Sequence, residues 1–389
     1  MSIVLYYIPI LLCALTPFFR ELADNRRWYI FLGIYCYIFY CFGYMTGSDW
    51  KVYEDMYYSV DFSRFYYGYT KEPGYYLYMM LFSKLGIGFW PFFIFTKTVI
   101  FFIIYKTIFD YCRETGFVTL MYFLPLSGMN LLIDNPMRNC IAVAIFIASV
   151  KFIIEHKFWK FLICMLLAAS FHFSALIMVL FYPLLNRDIR TWVYVSLFVV
   201  INVVFANREL LVELLTLFLG KIPFVQEKVI KYLLMDSVFA QGKLISFGMI
   251  WQIGLFVLML CYRERITERI GGEKGRFVFN AAMAYMLLLR FAMTIRMFVR
   301  LQLYFSVFLA IATGLLIISF EFRSRVAFIG LLCLVSLYIC TDKITGSARY
   351  VPYSNYIVYS IKGDHPSYSV RYYYNIKNSP FTDAVDYER

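Results

Sequence analysis

The chain has 389 residues, of which 62% are hydrophobic and 16% are charged. Ordinary soluble domains are nearer half apolar and a quarter charged, so this composition excludes a soluble globular protein and predicts a chain embedded in lipid. The net charge of +12 comes from basic residues in short connectors between apolar runs, not from a continuous stripe, which excludes nucleic-acid binding. The nine cysteines form no CxxC pair and there are only three histidines, so we expect neither a disulfide framework nor a metal site.

A membrane-spanning helix needs about 20 mostly apolar residues. In chain order, the apolar segments that meet or approach this length are 2–19, 28–45, 89–109, 117–133, 137–154, 158–171, 174–185, 191–206, 244–261, 277–295, 297–318 and 325–340. The sequence therefore predicts an all-α integral membrane protein with about 12 transmembrane helices. These segments form one predicted transmembrane domain over residues 1–341.

The distribution of basic residues predicts which connectors face the cytoplasm. One set of connectors holds 16 Lys and Arg in 50 residues: 20–27, 110–116, 151–160, 186–190, 262–276 and 321–325. The opposite set, 46–72 and 207–243, holds 8 Lys and Arg in 64 residues. The denser set is assigned to the cytoplasm, which places both termini outside. This assignment requires the apolar stretch 73–86 to be a short re-entrant helix that returns to the outer face. The alternative is two crossings over residues 73–110 with a flipped N-terminal hairpin.

Two polar regions are expected at the outer face. Segment 207–243 has acidic and basic residues four apart with apolar residues between them, which predicts amphipathic helices lying on the membrane surface. The tail over residues 342–389 is polar and rich in tyrosine, and we expect its part near Val351-Pro352-Tyr353 to pack on the same face.

Four arginines near predicted helix ends are candidates for binding an anion: Arg138, Arg290, Arg296 and Arg300. A charge close to a membrane is costly and often marks a site, and the planar guanidinium group holds phosphate bidentately. Arg138 follows Pro136, which suits a helix first turn, so it lies beside backbone N–H groups that attract anions. The alternative is that these side chains snorkel, with stems along lipid and charged heads in the headgroup layer.

Two acids and a histidine are candidates for proton transfer and substrate positioning. Glu72 precedes Pro73 and is our first choice as a general base, although it could simply cap the following helix. Asp49 could position a sugar hydroxyl, or it could be a solvated turn residue. His172 lies between two helices and could take an acid–base role, or it could be a satisfied structural histidine.

Several short motifs occur in a recognisable order over about residues 30–355. They are Gly47-Ser48-Asp49-Trp50 with Tyr53, Lys71-Glu72-Pro73-Gly74-Tyr75, Arg138-Asn139-Cys140-Ile141-Ala142, Phe171-His172-Phe173-Ser174-Ala175-Leu176, Arg300-x-x-x-Tyr304 and Val351-Pro352-Tyr353. With these motifs the chain resembles the EpsG family of exopolysaccharide-synthesis proteins, within the broader group of Wzy-type polysaccharide polymerases. Asn139 departs from the pattern, because Gln is expected after the arginine.

The resemblance implies a GT-C-like glycosyltransferase of the bacterial plasma membrane with its active site facing outside, acting in O-antigen, capsule or exopolysaccharide synthesis. Its donor and acceptor would both be undecaprenyl-pyrophosphate-linked oligosaccharides. Glu72, His172 or Asp49 would supply the base, the four arginines would bind the pyrophosphate, and the substrate-binding residues would be Tyr75, Tyr304 and Tyr353. We expect no cofactor and no metal. Expected partners are membrane lipid and a chain-length regulator and flippase of the same pathway, without nucleic acid.

Three other activities compete with this interpretation. A polysaccharide flippase or transporter would also carry charged residues within helices, but near the bilayer midplane and in related halves. The sequence has no internal repeat, which disfavours a transporter. An O-antigen ligase-like transferase would use the same donor with a different acceptor. A membrane acyltransferase with His172 as its active residue would leave the arginine cluster without a role.

Overall fold

The computed structural model describes residues 3–19, 25–61, 72–206, 247–294 and 297–378. These residues form helices and contain no β-strand, apart from one isolated antiparallel bridge between Gly43 and Asn355. The chain divides into two compact units. Unit 1 comprises Met1–Phe152, Lys157–Val179 and Phe320–Arg389, and unit 2 comprises Ile153–His156 and Leu180–Ser319. The predicted amphipathic segment 207–243 lies outside the described residues.

The helices that lie wholly or mostly in unit 1 begin near the N-terminus and resume in the tail. They are α1 (Val4–Leu15), α2 (Arg26–Cys41), α3 (Trp50–Tyr58), α4 (Pro73–Lys84), α5 (Phe89–Tyr111), α6 (Gly116–Phe123, continued as a π-helix over Leu124–Asp134), α7 (Met137–Ile154), α8 (Phe158–Phe171), α15 (Phe322–Thr345), α16 (Tyr356–Lys362) and α17 (Tyr368–Asn378). The helices that lie wholly or mostly in unit 2 are α9 (Ile177–Leu185), α10 (Thr191–Ala206), α11 (Phe247–Cys261), α12 (Arg263–Glu268), α13 (Gly272–Thr294) and α14 (Met297–Ile318).

Each apolar segment predicted to span the membrane forms a helix over most of the part that the structure describes. In the described part of the chain, six helices are long and apolar enough to cross a bilayer: Phe89–Tyr111, Gly116–Asp134, Met137–Ile154, Gly272–Met293, Phe298–Ile318 and Phe322–Thr345. Five shorter apolar helices accompany them. The all-α membrane fold is therefore confirmed, whereas the number of crossings and the GT-C-like arrangement stay predictions.

The reversal between α6 and α7 brings Arg138 to a helix start. The π-helix ends at Asp134, and the next residue, Asn135, takes a left-handed conformation with φ of 48°. Asparagine tolerates this region better than most residues. Pro136 immediately precedes α7, and its carbonyl accepts from Cys140 N at 3.0 Å. Arg138 consequently lies in the first turn of α7.

The C-terminal segment is tied to this reversal through Asp134. Tyr350 donates its hydroxyl hydrogen to Asp134 Oδ1 at 2.6 Å, and Lys343 Nζ lies 2.6 Å from Asp134 Oδ2. Tyr6 donates in turn to the carbonyl oxygen of Tyr350 at 2.7 Å. The carboxylate is buried, so these two partners offset the cost of removing its charge from water.

Helix α4 begins and ends beside the same short helix, α3. Near its start, the Tyr76 hydroxyl is hydrogen-bonded to the backbone of Asp61, just after α3. Just beyond its end, Ile87 accepts a hydrogen bond from the Tyr57 hydroxyl at 2.5 Å. Helix α4 therefore lies alongside α3, while the predicted re-entrant course of residues 73–86 stays a prediction.

The orientation of unit 1 can be tested by labelling single cysteines. Helix α5 is about 35 Å long and can span the bilayer core, so Asp61, near its start, and Glu114, just after its end, should lie on opposite sides. We expect a membrane-impermeant maleimide applied to intact cells to label Asp61→Cys and to leave Glu114→Cys unlabelled until the cells are opened. The background protein carries Cys261→Ser, because Cys261 is exposed. Labelling of Glu114→Cys alone would reverse the orientation.

Candidate functional site

Three predicted site residues from different parts of unit 1 meet around one carboxylate. Arg138 Nη1 donates to Glu72 Oε2 at 2.5 Å, and His172 Nδ1 lies 2.6 Å from Glu72 Oε1. The side chains of Glu72 and His172 are 11% and 13% exposed, whereas that of Arg138 is 36% exposed. The carboxylate is therefore enclosed, while part of the guanidinium group remains open to a ligand.

A glycine allows α4 to approach the end of α8 closely enough for this contact. A Cβ atom at Gly74 would lie 2.1 Å from Ser170 Oγ and 2.9 Å from Ser170 Cβ. Any larger residue would therefore push α4 away from the Ser170-Phe171-His172 turn. Since Glu72 immediately precedes α4, the glycine of the Glu-Pro-Gly-Tyr motif holds Glu72 beside His172.

The surroundings of Glu72 keep its carboxyl ionised. Burial acts to raise its pKa, but the hydrogen bond with His172 and the charge of Arg138 outweigh this effect, so the pKa lies below its ordinary value. A carboxylate with a lowered pKa is a weak proton acceptor at neutral pH. Glu72 is thus better suited to orient His172 and Arg138 than to accept a proton itself.

The contact with Glu72 fixes the tautomer of His172. An ionised carboxylate has only acceptors, so Nδ1 must carry the hydrogen that is shared with Glu72 Oε1. In the neutral imidazole, Nε2 is then the proton acceptor. The arrangement of a carboxylate, an oriented imidazole and a basic second nitrogen is one that activates hydroxyl groups in enzymes.

Arg138 is held from a second side by α3. Its guanidinium carbon lies 5.9 Å from the ring centre of Tyr53, which is buried. Burial raises the pKa of the Tyr53 hydroxyl, while the charge of Arg138 opposes that rise. The N–H groups of the first turn of α7 lack acceptors within the helix, and the helix dipole adds to the positive potential there. Arg138 and the start of α7 together create a positive potential that attracts anions.

Asn139, where Gln was expected from the resemblance, has a structural contact of its own. Its Oδ1 accepts a hydrogen bond from Ser174 Oγ at 3.4 Å, and its side chain is buried. Ser174 belongs to the Phe-His-x-Ser-Ala motif, so this bond ties the start of α7 to the turn that carries His172.

Asp49 is placed next to the site but is not bonded to Glu72. Its backbone N–H donates to the carbonyl of Asp134 at 3.3 Å, and its side chain accepts from Ser48 Oγ at 2.7 Å. It begins α3, four residues before Tyr53. The preceding Gly47 has φ of 91°, and a Cβ atom there would lie 2.3 Å from the carbonyl oxygen of Ile133. Gly47 and Gly74 thus each allow another part of the chain to come close, Ile133 at Gly47 and Ser170 at Gly74.

The three predicted substrate-binding tyrosines lie in different places. Tyr75 is buried in unit 1, where its hydroxyl donates to Met137 Sδ at 3.1 Å. Tyr353 donates to the carbonyl of Phe39 at 2.7 Å and stacks on that ring. Tyr304 is fully buried within unit 2. Their roles in substrate binding stay predictions.

The remaining predicted arginines do not belong to unit 1. Arg290 is buried in unit 2 with Nη1 3.7 Å from Met249 Sδ, and Arg300 is exposed in the same unit. Arg296 lies outside the described residues. Their predicted contribution to pyrophosphate binding therefore stays a prediction, and Arg138 is the cation that the structure brings to Glu72 and His172.

An apolar groove of about 450 Å³ begins beside this cluster and runs along α7. It lies between α5, α7 and α8, and residues along its length include Tyr78, Ile100, Ile141, Ala148, Lys151 and Phe171. Phe171 precedes His172, and Ile141 lies one turn after Arg138. One end of the groove therefore lies beside the charged start of α7. The groove is mostly apolar and is large enough for part of a lipid tail.

The sequence did not single out two contributors to this site. Tyr53 and Asn139 appeared only as members of motifs, although they contact Arg138 and Ser174. The sequence could have indicated Tyr53, because it follows Asp49 by four residues and residues with this spacing share one face of a helix. Within the described ranges, no three His, Cys, Asp or Glu side chains are grouped as metal ligands would be.

An all-helical, lipid-embedded frame with a charged cluster at its helix ends defines the chain as a helical membrane protein with a polar site. The model of the EpsG family matches residues 26–360, which include Glu72, Arg138 and His172. The chain belongs to the EpsG family, as its motifs predict, and is an exopolysaccharide-related membrane protein. No curated protein and no solved structure matches the chain.

Replacing Gly74 by alanine should separate α4 from α8. We expect Gly74→Ala to destabilise the protein by about 1–3 kcal/mol, since the new methyl group overpacks a closed contact. Ser170→Gly in the same chain should restore most of the loss, because it removes the two nearest side-chain atoms. The measurement is the thermal unfolding midpoint in detergent. Gly330→Ala, whose site has no atom within 4 Å, is the control and should not destabilise. Equal losses in Gly74→Ala and Gly330→Ala would contradict the packing argument.

The lowered pKa of Glu72 predicts a defined pH dependence of stability. Its contacts stabilise the fold fully above the ordinary glutamate pKa of about 4.3 and are lost as pH falls through the lower folded-state value. Glu72→Gln should cost about 2 kcal/mol near neutral pH, as expected for hydrogen bonds to a charged group with a partly solvated partner. The stability difference from the parent protein should persist at about pH 5 and shrink below about pH 4.

The control for this experiment is Asp110→Asn, because Asp110 pairs with Lys106 at an exposed position in the same unit. Exposed ion pairs contribute little, so this variant should stay close to the parent protein at every pH. A stability difference for Glu72→Gln that disappears already at pH 5–6 would show that the carboxyl is not held ionised by its neighbours.

Proposed function

We propose that this protein is a glycosyltransferase that polymerises an exopolysaccharide from polyprenyl-pyrophosphate-linked oligosaccharides at the outer face of the bacterial plasma membrane. The observation that carries the proposal is the Glu72–Arg138–His172 cluster at the mouth of an apolar groove. A lipid-linked glycan needs such a combination, because its tail is apolar, its pyrophosphate is anionic and its sugar must be activated. Membership of the EpsG family is consistent with this role.

In the proposed reaction, a hydroxyl of the terminal sugar of one repeat unit attacks the anomeric carbon of the growing glycan. His172 Nε2 accepts the hydroxyl proton while the new carbon–oxygen bond forms. The bond between the anomeric carbon and the pyrophosphate oxygen breaks, and the pyrophosphate leaves with the electron pair. Glu72 keeps His172 in the required tautomer and stabilises the imidazolium ion that forms.

Arg138 stabilises the leaving pyrophosphate in this scheme. One of its amino groups is engaged by Glu72, and its exposed part retains further N–H donors for phosphate oxygens. The negative charge on pyrophosphate increases as the bond breaks, so a fixed cation is worth more in the transition state than in the ground state. Arg290, Arg296 and Arg300 remain additional candidates for this role.

The apolar groove offers a place for the polyprenyl tail. Ile141 and Ala148 share one side of α7, so a chain lying in the groove would follow that helix away from Arg138. Burial of isoprenoid carbons in such a groove fixes the pyrophosphate at the charged end, which orients the anomeric carbon without requiring any contact to the sugar.

The proposal is tested with purified protein in detergent and lipid-linked repeat units as the only substrate. We expect the parent protein to give a ladder of polymer and to release polyprenyl pyrophosphate. His172→Ala should lower the rate by about 10²–10⁴-fold, as expected when a general base is removed. Arg138→Ala should lower it by about 10²–10³-fold through loss of transition-state charge stabilisation.

The matched control is His156→Ala, because His156 is exposed beyond the opposite end of α7 and pairs with Glu273 at 3.4 Å. It should polymerise at the parental rate. A transporter would give no ladder in detergent, where there is no second compartment, and a ligase-like transferase would need another acceptor. Either result, or a parental rate in His172→Ala, would overturn the proposal.

A further inference from the structure

A second polar pocket of unit 1 is formed around the start of α3 by the C-terminal segment. Its volume is about 80 Å³. The lining consists of the loop before α3, the first turn of α3, the residue before Tyr350 and one side of α17: Met45, Gly47, Ser48, Trp50, Lys51, Arg349, Tyr368, Arg371, Tyr372 and Asn375. The lining contains three cationic side chains and no carboxylate. It therefore favours an anionic group.

Two side chains in this pocket have polar atoms that could bind a ligand. The guanidinium group of Arg349 is partly buried, and it makes no hydrogen bond or salt bridge with the residues that the structure describes, although its charge acts on the neighbouring Tyr350 hydroxyl. Asn375 is 4% exposed, its Nδ2 donates to the carbonyl of Ala348 at 3.3 Å, and its Oδ1 has no partner within the same described ranges. A buried acceptor left in this state is costly unless a donor from a ligand reaches it.

The other cations of the pocket are fixed in place. Arg371 is buried and donates through Nη2 to the carbonyl of Pro352 at 2.6 Å, so its charge is positioned by the backbone. Lys51 lies at the edge and is paired with Asp55 at 2.7 Å. Arg349 is consequently the cation best placed to bind an incoming anion directly.

Aromatic rings form the apolar part of the pocket. Trp50 is buried, and its ring lies 5.6 Å from that of Tyr368 at an interplanar angle of 63°. Tyr372 adds a third ring to the lining. Flat aromatic surfaces beside a few directed polar groups suit a ligand that has both an apolar face and hydroxyl groups, as a sugar ring does.

We propose that this pocket binds the carboxylate end of an acidic sugar, such as a hexuronic acid, in the acceptor glycan. A volume of about 80 Å³ encloses the carboxylate and the adjoining edge of the sugar, while the rest of the ring lies at the opening of the pocket. The carboxylate pairs with Arg349, a ring hydroxyl donates to Asn375 Oδ1, and the C–H face of the ring packs on Tyr368, which is 45% exposed and is backed by the buried Trp50. Inorganic phosphate would satisfy the arginine, but it has no apolar face for the aromatic rings. A neutral hexose would leave Arg349 without a counter-charge.

The position of the pocket connects it with the candidate catalytic cluster, and this connection rests on the proposed function. Trp50 and Lys51 belong to the first turn of α3, and Tyr53 of the same helix faces Arg138. Trp50 and Tyr53 are three residues apart on α3, so they share a helix face and are separated by about 4.5 Å along the helix axis. An acidic sugar held here would place a neighbouring sugar of the same glycan close to His172.

The test measures sugar binding directly, with full-length purified protein and isothermal titration of D-glucuronate, D-glucose and inorganic phosphate. We expect glucuronate to bind with a dissociation constant on the order of 1 mM, the range for a ligand of roughly a dozen non-hydrogen atoms. Glucose should bind at least about tenfold more weakly, since it lacks the charge paired with Arg349. Phosphate should not displace glucuronate at equal concentration.

Three variants assign the binding to this pocket. Arg349→Gln should weaken glucuronate binding at least about tenfold, Arg349→Lys should retain part of it, and Asn375→Leu should weaken glucuronate and glucose alike. Arg323→Gln, at an exposed position on α15, is the matched control and should bind as the parent protein does. Equal binding of glucose and glucuronate, displacement by phosphate, or unchanged binding in Arg349→Gln would each overturn the proposal.

The same titration separates this proposal from the proposed function. His172→Ala should bind glucuronate with the parental affinity, because His172 does not line the pocket. If the parent protein binds glucuronate selectively but makes no polymer, the pocket stands and the polymerase activity fails. If it makes polymer but shows no preference for glucuronate, the polymerase activity stands and the acidic-sugar site fails.

Discussion

The carboxylate of Glu72 must stay ionised beside apolar helices, and the rest of the candidate site depends on how this is achieved. Arg138 and His172 each use one of its oxygens, and both are held from elsewhere: Arg138 by the first turn of α7 beside Tyr53, and His172 by the end of α8. Because the three groups come from separate helices, any movement of one helix end breaks a charged hydrogen bond in a partly buried place. The packing of these helix ends therefore determines whether the three charged groups stay close enough for the proposed chemistry.

Much of this arrangement could be predicted from the sequence. The length of the apolar segments predicted the helices, and the order of the motifs predicted the family. The same motifs contain Glu72, Arg138 and His172, which the structure brings together. The assignment of roles within the cluster could not be predicted, because it depends on distances. Glu72 was the first choice as base from its place before Pro73, yet its lowered pKa and its contact with His172 favour an orienting role. No sequence spacing could reveal that residues 72 and 172 share a hydrogen bond.

Two glycines allow close contacts that the sequence alone does not reveal. Gly47 and Gly74 belong to recognisable motifs, but their function concerns space that only the folded chain defines. At Gly74 a methyl group would collide with Ser170, and at Gly47 it would collide with the backbone of Ile133. Both collisions would displace a helix that contributes to the cluster, α4 in one case and α3 in the other. The lack of a side chain at Gly47 and Gly74 allows these helix ends to approach closely, and the sequence alone does not show which parts of the chain they approach.

The C-terminal segment is linked to the start of α7, and so to Arg138, through Asp134. Asp134 precedes Arg138 by four residues, and its carboxylate is held by Lys343 and Tyr350. Tyr350 follows Arg349, which lines the second pocket with α17. The segment from Lys343 to α17 thus fixes the start of α7 on one side and encloses the first turn of α3 on the other. A glycan that occupied the pocket would contact the same segment that positions Arg138, so acceptor binding and leaving-group stabilisation would depend on a common set of buried hydrogen bonds.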